Sequence, residues 1–221
     1  MASSVTRLSF IAAVAAALST GCWGPSPESG PAAEIYGYCI SCHMEDGGGK
    51  QIILAPAIAG LPVWYVEESV RKFRNGVRGS HFCDVAGMRM RPMAPTLKED
   101  QINAVSQYVA NLPAVPQPKT MEGGDAGKGK ALFTVCTACH GADGTGVAPT
   151  GKTILSTNGP PLARMADWYI YEQLTKFRTG MRGADGKRDP NGYMMATQAK
   201  TTLKDEQAVK DVIAYIGTLG K

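Results

Sequence analysis

Two short cysteine motifs are the residues of this chain best suited to chemistry. The pattern Cys-x-x-Cys-His occurs twice, first at Cys39, Cys42 and His43 and again at Cys136, Cys139 and His140. This is the spacing of covalent c-type haem attachment. Two thiols on one helical turn can reach the two vinyl groups on one edge of a porphyrin, and the adjacent imidazole can bind the iron. The motifs therefore predict two covalently bound haem c groups.

A bare Cys-x-x-Cys pair has two other common uses, as a redox dithiol or as half of a zinc site. A zinc site needs its four ligands held together, whereas these two pairs stand in separate halves of a duplicated chain. A histidine directly follows both pairs, at equivalent places in the two halves. That repetition favours haem over either alternative.

Methionines follow each motif at a similar distance and are candidates for the second axial ligand. Methionine is the usual ligand in electron-transfer haem proteins because its thioether raises the reduction potential. The first half offers Met88, Met90 and Met93, and the second offers Met194 and Met195. Aligning Gly87 with Gly192 pairs Met90 with Met195, which we predict as iron ligands. Met93 and Met194 are the alternatives, and loop packing is the ordinary role of such residues.

The haem motifs belong to a longer internal repeat. Three further blocks recur in the same order: Trp64-Tyr65-Val66 as Trp168-Tyr169-Ile170, Lys72–Gly79 as Lys176–Gly183, and Leu97-Lys98 as Leu203-Lys204. The second copy carries seven extra residues just after its Cys-His motif. We predict two tandem domains, residues 34–112 and 130–221, joined by a linker at 113–129 that is rich in Pro and Gly.

Hydrophobic spacing predicts an all-α fold with long loops, because no stretch shows sustained strand alternation. Residues 98–112 place an apolar face at helical spacing, and Trp64–Phe73 and Trp168–Phe177 predict a middle helix in each domain. A further helix should lead into each Cys pair. On the closing helices, we expect Tyr108 to pack against Tyr36 and Tyr215 to pack against Phe133. Thr96 and Thr202 are the predicted starts of those closing helices.

The N-terminus has the features of an export signal. Arg7 precedes an apolar run, Leu8 to Leu18, that is too short to span a bilayer comfortably. Residues 1–22 end in Gly-Cys, which resembles the lipobox of bacterial lipoproteins, although Ser19 stands where an aliphatic residue is usual. Lipidation of Cys22 is the predicted outcome, with ordinary cleavage nearby as the alternative. Residues 23–33 are rich in Pro, Gly, Ser and Ala and predict a flexible tether.

Charge and apolar content limit the candidate partners and the size of the hydrophobic cores. The formal net charge is +4, and the basic residues are not clustered into a stripe, so nucleic acid is a poor candidate partner. Apolar residues make up 44% of 221 residues, which is enough for two small hydrophobic cores.

The chain resembles the class I cytochromes c, specifically the two-haem c4-like family, over nearly all of residues 33–219. The resemblance rests on both haem motifs, the Pro loops, the Met loops and the closing helices. It implies two small helical lobes, each wrapped round one haem. It also implies that His43 and His140 are proximal ligands and Met90 and Met195 distal ones. Pro56 and Pro160 match the loop whose carbonyl accepts a hydrogen bond from the proximal His.

The resemblance implies an electron-transfer protein of a bacterial respiratory chain, in the periplasm or on the outer face of a membrane. A quinol-oxidising complex is the expected donor, and a terminal oxidase or reductase the expected acceptor. Two six-coordinate irons leave no position for a substrate, so we expect no catalysis. The alternative is a two-haem enzyme, a peroxidase or a sulfur-compound dehydrogenase, with one labile iron ligand.

Two further sets of residues have open roles. Arg78 and Arg182 are equivalent in the repeat and could hold haem propionates near the lobe interface, or lie at solvated helix ends. Cys83 and His81 occur only in the first half. Cys83 is either a small buried side chain or a thiol for redox sensing or cross-linking, and an unpaired Cys is unusual in an exported protein.

Overall fold

The computed structural model describes residues 32–150 and 158–220. In these two ranges the chain is helical, and the only β pairings are two isolated antiparallel bridges, Lys50–Ala55 and Val147–Gly159. The predicted signal with Cys22, and nearly all of the predicted tether, lie outside the described residues. None of the described helices combines the length and apolar character needed to cross a membrane.

The helices fall into two sets that repeat in order. The first lobe contains α1 (Ala32–Tyr36), α2 (Ile40–His43), α3 (Val63–Arg74), α4 (Val85–Met90) and α5 (Glu99–Asn111). The second contains α6 (Ala126–Phe133), α7 (Thr137–His140), α8 (Asp167–Thr179), α9 (Pro190–Thr202) and α10 (Glu206–Ile216). This architecture confirms the predicted all-α fold of two tandem class I cytochrome c lobes.

The closing helices supply the apolar face that each lobe is built on. In α5, Val105 and Val109 pack against Ile35 and Tyr36 of α1 and are removed from water. The aromatic contacts occur in the predicted pairs, with ring centroids 5.0 Å apart for Tyr36–Tyr108 and 5.4 Å apart for Phe133–Tyr215. These contacts fix the helix that leads into each Cys pair.

The closing helices begin later than predicted. Helix α5 has Lys98 at its N-cap, where the backbone N–H of Lys98 donates to Oε1 of Gln101, and Thr96 instead donates its hydroxyl to the carbonyl of Met93. Helix α10 is capped by Asp205, and Thr202 ends the preceding helix. The prediction failed because Gln101, five residues after Thr96, and Asp205, three residues after Thr202, accept from the N–H groups at the starts of these helices.

The segment predicted as a linker is partly ordered onto the second lobe. Helix α6 begins at Ala126, inside the predicted span 113–129, and Asp125 caps it. Upstream, the backbone N–H groups of Thr120 and Met121 donate to Asp167 at the start of α8, at 2.6 and 2.8 Å. The last part of the connection is therefore held by hydrogen bonds to the lobe that follows it.

The extra residues of the second lobe fall at one place. The bridges Lys50–Ala55 and Val147–Gly159 are equivalent in the two lobes, but the second encloses seven more residues. The insertion predicted after the second Cys-His motif therefore lies between Val147 and Gly159. Residues 151–157 are outside the described part of the chain.

Candidate functional site

Each Cys-x-x-Cys-His motif forms one short helical turn that buries its histidine. In the first lobe the backbone N–H of His43 donates to the carbonyl of Cys39 at 2.8 Å, which closes the turn. His43 is 8% exposed and His140 is 7% exposed, whereas Cys42 lies at the surface. The turn thus buries the imidazole, keeps Cys39 partly buried and leaves Cys42 exposed. The two thiols lie three positions apart on one turn, the spacing that covalent haem attachment requires.

The thiols do not have the environment of a redox dithiol. All five cysteines in the described ranges are free. Burial, together with the neighbouring Cys42, raises the pKa of Cys39 to about 11. Burial, together with the neighbouring Cys139, likewise raises the pKa of Cys136 to about 11. A disulfide-exchange motif needs a lowered thiol pKa, so these pairs are unsuited to that chemistry.

The orientation of each histidine is fixed by a backbone carbonyl. Nδ1 of His43 lies 2.9 Å from the carbonyl oxygen of Pro56, and Nδ1 of His140 lies 2.9 Å from that of Pro160. A carbonyl can only accept, so Nδ1 carries the proton and Nε2 keeps its lone pair for a metal. Burial lowers the pKa of both imidazoles, and the carbonyl bonds only partly offset this. Both rings are therefore neutral, with Nε2 available to bind a metal.

A glycine brings the histidine and the proline loop together in each lobe. The N–H of Gly49 donates to the carbonyl of His43 at 3.1 Å, and that of Gly146 donates to His140 at 2.8 Å. A Cβ on Gly146 would lie 2.6 Å from the backbone nitrogen of Pro161, and the residue has φ of +87°. Only glycine fits this approach and this backbone conformation.

The methionine candidates differ in burial. Met90 is partly buried against Val70 and Phe73, and Met195 packs against Phe177 and the core of the second lobe. Met88, Met93 and Met194 are between 39% and 48% exposed. The segments that carry them were expected to be loops but are helical, as α4 with the following 3-10 turn and as α9. The predicted pair are the two methionines that turn toward a core.

An apolar cavity of about 540 Å³ lies in the second lobe and is bounded on one side by α3 of the first lobe, including Trp64 and Lys72. Its volume is within the usual range for cofactor sites. Its walls include both cysteines and the histidine of the second motif, Cys136, Cys139 and His140. Met194, Met195 and the carbonyl-bearing Pro160 also line it. Thiols, a neutral imidazole and a thioether around one apolar space are a donor set that fits a covalently attached haem.

Comparison with known proteins agrees with this geometry. The sequence model of the family described as Cytochrome c matches residues 31–113 and again 126–220. The chain belongs to the cytochrome c family. The family match covers both lobes, each with its own attachment motif, so the cytochrome carries two covalently bound haem c groups and is a single-electron carrier.

Several proteins of known name are similar to this cytochrome along most of its length. A protein named thiosulfate dehydrogenase electron acceptor from Stutzerimonas stutzeri is 30% identical over 81% of this chain and 79% of its own length. Cytochrome c4 of Thiocapsa roseopersicina is 28% identical over 85% of this chain and 91% of its own. The solved cytochrome c4 of Acidithiobacillus ferrooxidans has a TM-score of 0.65 at 26% identity, covering 83% of this chain and 99% of that chain.

The lobes of this cytochrome meet at a buried cluster of two tyrosines and two arginines, Tyr65, Tyr169, Arg78 and Arg182. Nη2 of Arg78 donates to the hydroxyl of Tyr169 across the interface at 3.4 Å. The guanidinium of Arg78 lies 4.4 Å above the ring of Phe73, and that of Arg182 lies 4.5 Å above Phe177. These arginines are therefore not solvated helix ends, which was one of the two roles left open.

One atom of this cluster lacks a partner. Nε of Arg182 is buried and has no hydrogen-bond acceptor within the described ranges, while Nη1 donates to Gln173 at 2.8 Å. Burial lowers the pKa of Arg182, and the nearby Arg78 lowers it further. Arg182 also lines the cavity of the second lobe. An anionic group such as a haem propionate would satisfy this donor and offset the charge.

The structure identifies two site residues that sequence reasoning missed. Asp84 caps α4 and Asp189 caps α9, the helices that carry the methionine pair. Each carboxylate accepts from the N–H of the glycine three residues later, at 2.9 Å. The shared pattern Asp-x-x-Gly ahead of both methionine segments was the available signal.

The loop between α3 and α4 exposes its cysteine. Cys83 is at the surface, with its backbone N–H donating to Nδ1 of His81 at 3.1 Å. Phe82 stacks on His81 with centroids 4.7 Å apart and is 81% exposed. The interpretation of Cys83 as a small buried side chain is therefore wrong.

Proposed function

We propose that this cytochrome is a one-electron relay in which His43 and Met90 are the axial ligands of the first haem and His140 and Met195 those of the second. Cys39 and Cys42 hold the first porphyrin by thioethers, and Cys136 and Cys139 the second. The observation that carries the proposal is that each lobe contains a fixed neutral histidine and a candidate methionine packed against its core. In the second lobe His140 and Met195 line the same cavity. Bound haem supplies a reversible Fe(II)/Fe(III) couple.

The chain's own residues set the conditions for that couple. Pro56 and Pro160 fix the imidazole rings, which removes one source of reorganisation between the two oxidation states. Apolar packing around the methionines excludes water from the iron and favours Fe(II). Arg78 and Arg182 provide positive charge at the lobe interface, beside the cavity that would receive propionates. With His43 and Met90 on one haem and His140 and Met195 on the other, neither iron would have a position left for a substrate.

The proposed partners are redox proteins outside the cytoplasm. The name of the Stutzerimonas stutzeri relative supports a thiosulfate dehydrogenase as electron donor, and a quinol-oxidising complex is the alternative donor. A terminal oxidase or reductase is the proposed acceptor. The export signal, and a lipid on Cys22, would keep the cytochrome in the periplasm or on the outer face of a membrane. A single acyl chain gives weak retention, so a stable anchor needs several chains.

Carbon monoxide binding separates this relay from a two-haem enzyme. We expect no rapid binding to the fully reduced wild-type protein, because methionine occupies the only position carbon monoxide could take. Met195→Ala should bind carbon monoxide rapidly at one haem, which calibrates the signal. Rapid binding to one haem of the wild type would reveal a labile ligand and favour the enzyme.

Stopped-flow reduction tests the donor. The oxidised cytochrome is mixed with catalytic amounts of a thiosulfate dehydrogenase and excess thiosulfate, or with a quinol-oxidising complex and quinol. We expect faster reduction by thiosulfate dehydrogenase with thiosulfate, at a rate that saturates as the cytochrome concentration rises. Faster reduction by the quinol-oxidising complex with quinol would assign that complex as donor.

A further inference from the structure

Two ion pairs cross the lobe interface in a reciprocal manner. Nζ of Lys176 in the second lobe lies 2.7 Å from Oδ1 of Asp84 in the first. Nζ of Lys72 in the first lobe lies 2.8 Å from Oδ1 of Asp189 in the second. The lysines occupy equivalent places in the repeat, as do the aspartates, so the two pairs are related by the pseudo-twofold arrangement of the lobes.

The aspartates of these pairs are the caps of the methionine-bearing helices. Oδ1 of Asp84 accepts from both Lys176 and the N–H of Gly87, and Oδ1 of Asp189 accepts from both Lys72 and the N–H of Gly192. One carboxylate oxygen therefore joins the first turn of a ligand-bearing helix to the opposite lobe. An N-cap bond of this kind contributes to where its helix begins and how it is held.

The caps have little room to move. A Cβ on Gly87 would lie 2.2 Å from Oδ2 of Asp84, and one on Gly192 would lie 2.1 Å from Oδ2 of Asp189. Both aspartates are buried, at 6% and 2% exposure. Closely packed atoms in a buried setting transmit a displacement instead of absorbing it.

The lysines are themselves held in place by their own helices. Lys72 pairs with Glu68 and Lys176 pairs with Glu172, each one turn earlier on α3 or α8. Burial raises the pKa of Asp84, but the bonds from Lys176 and Gly87 outweigh it and leave that pKa lowered. The pKa of Asp189 is also lowered, because the interaction with Lys72 outweighs the opposing effect of burial. Both carboxylates are therefore ionised at neutral pH.

We propose that Lys72 and Lys176 are positioning residues for the axial methionine of the opposite lobe. Lys176 holds α4, and with it Met90, through the cap Asp84. Lys72 holds α9, and with it Met195, through the cap Asp189. This inference rests on the proposed methionine ligands, and it means that docking of the lobes contributes to the strength of each iron–sulfur bond.

The two lobes should depend on these contacts to different degrees. Helix α4 has six residues and ends at Met90, whereas α9 has thirteen residues and carries Met195 near its middle. A helix of fewer than two turns has few internal hydrogen bonds of its own and depends more on its cap. Loss of Lys176 should therefore disturb Met90 more than loss of Lys72 disturbs Met195.

The test uses Lys176→Met and Lys72→Met in the full two-haem protein. The readout is the pH at which each ferric haem loses its methionine. It is followed in the oxidised protein by the far-red absorption band and by the two hyperfine-shifted methyl NMR signals of the bound methionines. Met90→Ala and Met195→Ala assign those signals to lobes. We expect Lys176→Met to weaken methionine binding at the first haem about tenfold, lowering its midpoint by about one pH unit. Lys72→Met should act on the second haem, more weakly.

Matched variants separate positioning from general loosening. Lys176→Arg retains a donor and a charge and should restore most of the midpoint. Arg188→Gln breaks another contact between the lobes, to the carbonyl of Asn75, and Lys210→Met breaks a surface pair with Glu206. Neither should move either methionine. The inference is wrong if a lysine variant lowers the midpoint for methionine loss at the haem of its own lobe, at both haems equally, or at neither haem.

The design also distinguishes failure of the inference from failure of the proposed ligands. Were Met90 not a ligand, Met90→Ala would leave both the far-red band and the methyl signals of the wild type unchanged. That result is obtained without any lysine variant. Asp84→Asn provides a second test in case Lys176→Met folds poorly, because it keeps an oxygen acceptor for Gly87 while removing the charge.

Discussion

The carbonyl oxygen of Pro160 lies 2.9 Å from Nδ1 of His140, and Gly146 holds the two segments together. The first lobe repeats this arrangement with Pro56, His43 and Gly49. Because the loop approaches too closely for a side chain, the orientation of the imidazole depends on a glycine six residues after it. This relationship leads to the first prediction.

Replacing Gly146 with Ala should destabilise the second lobe. Its positive φ alone costs about 1 kcal/mol with a Cβ, and overlap with the Pro161 backbone adds about 1–3 kcal/mol. The matched control is Gly123→Ala, which has φ of +78° but no atom within 4 Å of the new Cβ. Thermal unfolding of the two variants separates the cost of backbone strain from the cost of overlap with the Pro161 backbone. Gly146→Ala should have the lower melting temperature, and equal melting temperatures would contradict the prediction.

Replacing Met90 or Met195 with Ala should remove the far-red absorption of one ferric haem each. The thioether also favours Fe(II), so the reduction potential of that haem should fall. Met88→Ala and Met93→Ala are the controls, since both side chains are largely exposed. Loss of the band in Met93→Ala instead of Met90→Ala would move the first ligand to the alternative site.

Replacing Arg182 with Gln should lower the reduction potential of the second haem. A positive charge next to a haem disfavours the ferric state, so its removal favours oxidation. We expect a fall of about 20–60 mV, given that a tenfold change in a one-electron equilibrium is about 59 mV. Arg164→Gln, at an exposed position, is the control. Unchanged potentials in Arg182→Gln would exclude a propionate-binding role.

Acid should weaken the contact between the lobes. The pKa values of Asp84 and Asp189 are lowered from 3.8, so the stability they contribute is complete above about pH 3.8 and is lost as pH falls through the lowered values. Lys176 and Arg78 face Asp84, and Lys72 and Arg182 face Asp189.

Unfolding measured from pH 5 to pH 2 checks this dependence. The double variant Asp84→Asn with Asp189→Asn should be less stable at pH 5, by about 3–5 kcal/mol for each buried pair broken, and should show a flatter decline in acid. Asp100→Asn, an exposed acid on α5, should leave the curve unchanged. A double variant with the wild-type pH profile would show that these pairs do not control acid stability.

The sequence predicted the local features of this cytochrome well. Helical periodicity identified α3, α5, α8 and α10, and the repeat alignment selected Met90 and Met195, the two methionines that turn toward a core. These features depend on spacing within a few residues. The helical caps were misassigned because neighbouring polar residues compete for the same N–H groups, and only the folded geometry decides between them.

The contacts between the lobes could not be predicted from spacing. Asp84 and Lys176 are far apart in the chain, and nothing local to either residue indicates that they meet. Cys83 was equally difficult, because a small side chain is compatible with a core or a surface position. The repeat did contain a clue, since Asp-x-x-Gly and the Lys72 block each occur twice. Equivalent positions in a duplicated chain are candidates for reciprocal contacts.

Intact-mass analysis of the mature protein tests the central claim most directly. Material made in a host competent for cytochrome maturation should exceed the mass of its processed polypeptide by two haem groups, which remain attached after denaturation. Replacing Cys136 and Cys139 together with Ala should reduce the excess to one haem. A denatured wild-type protein with only the mass of its polypeptide would contradict the account.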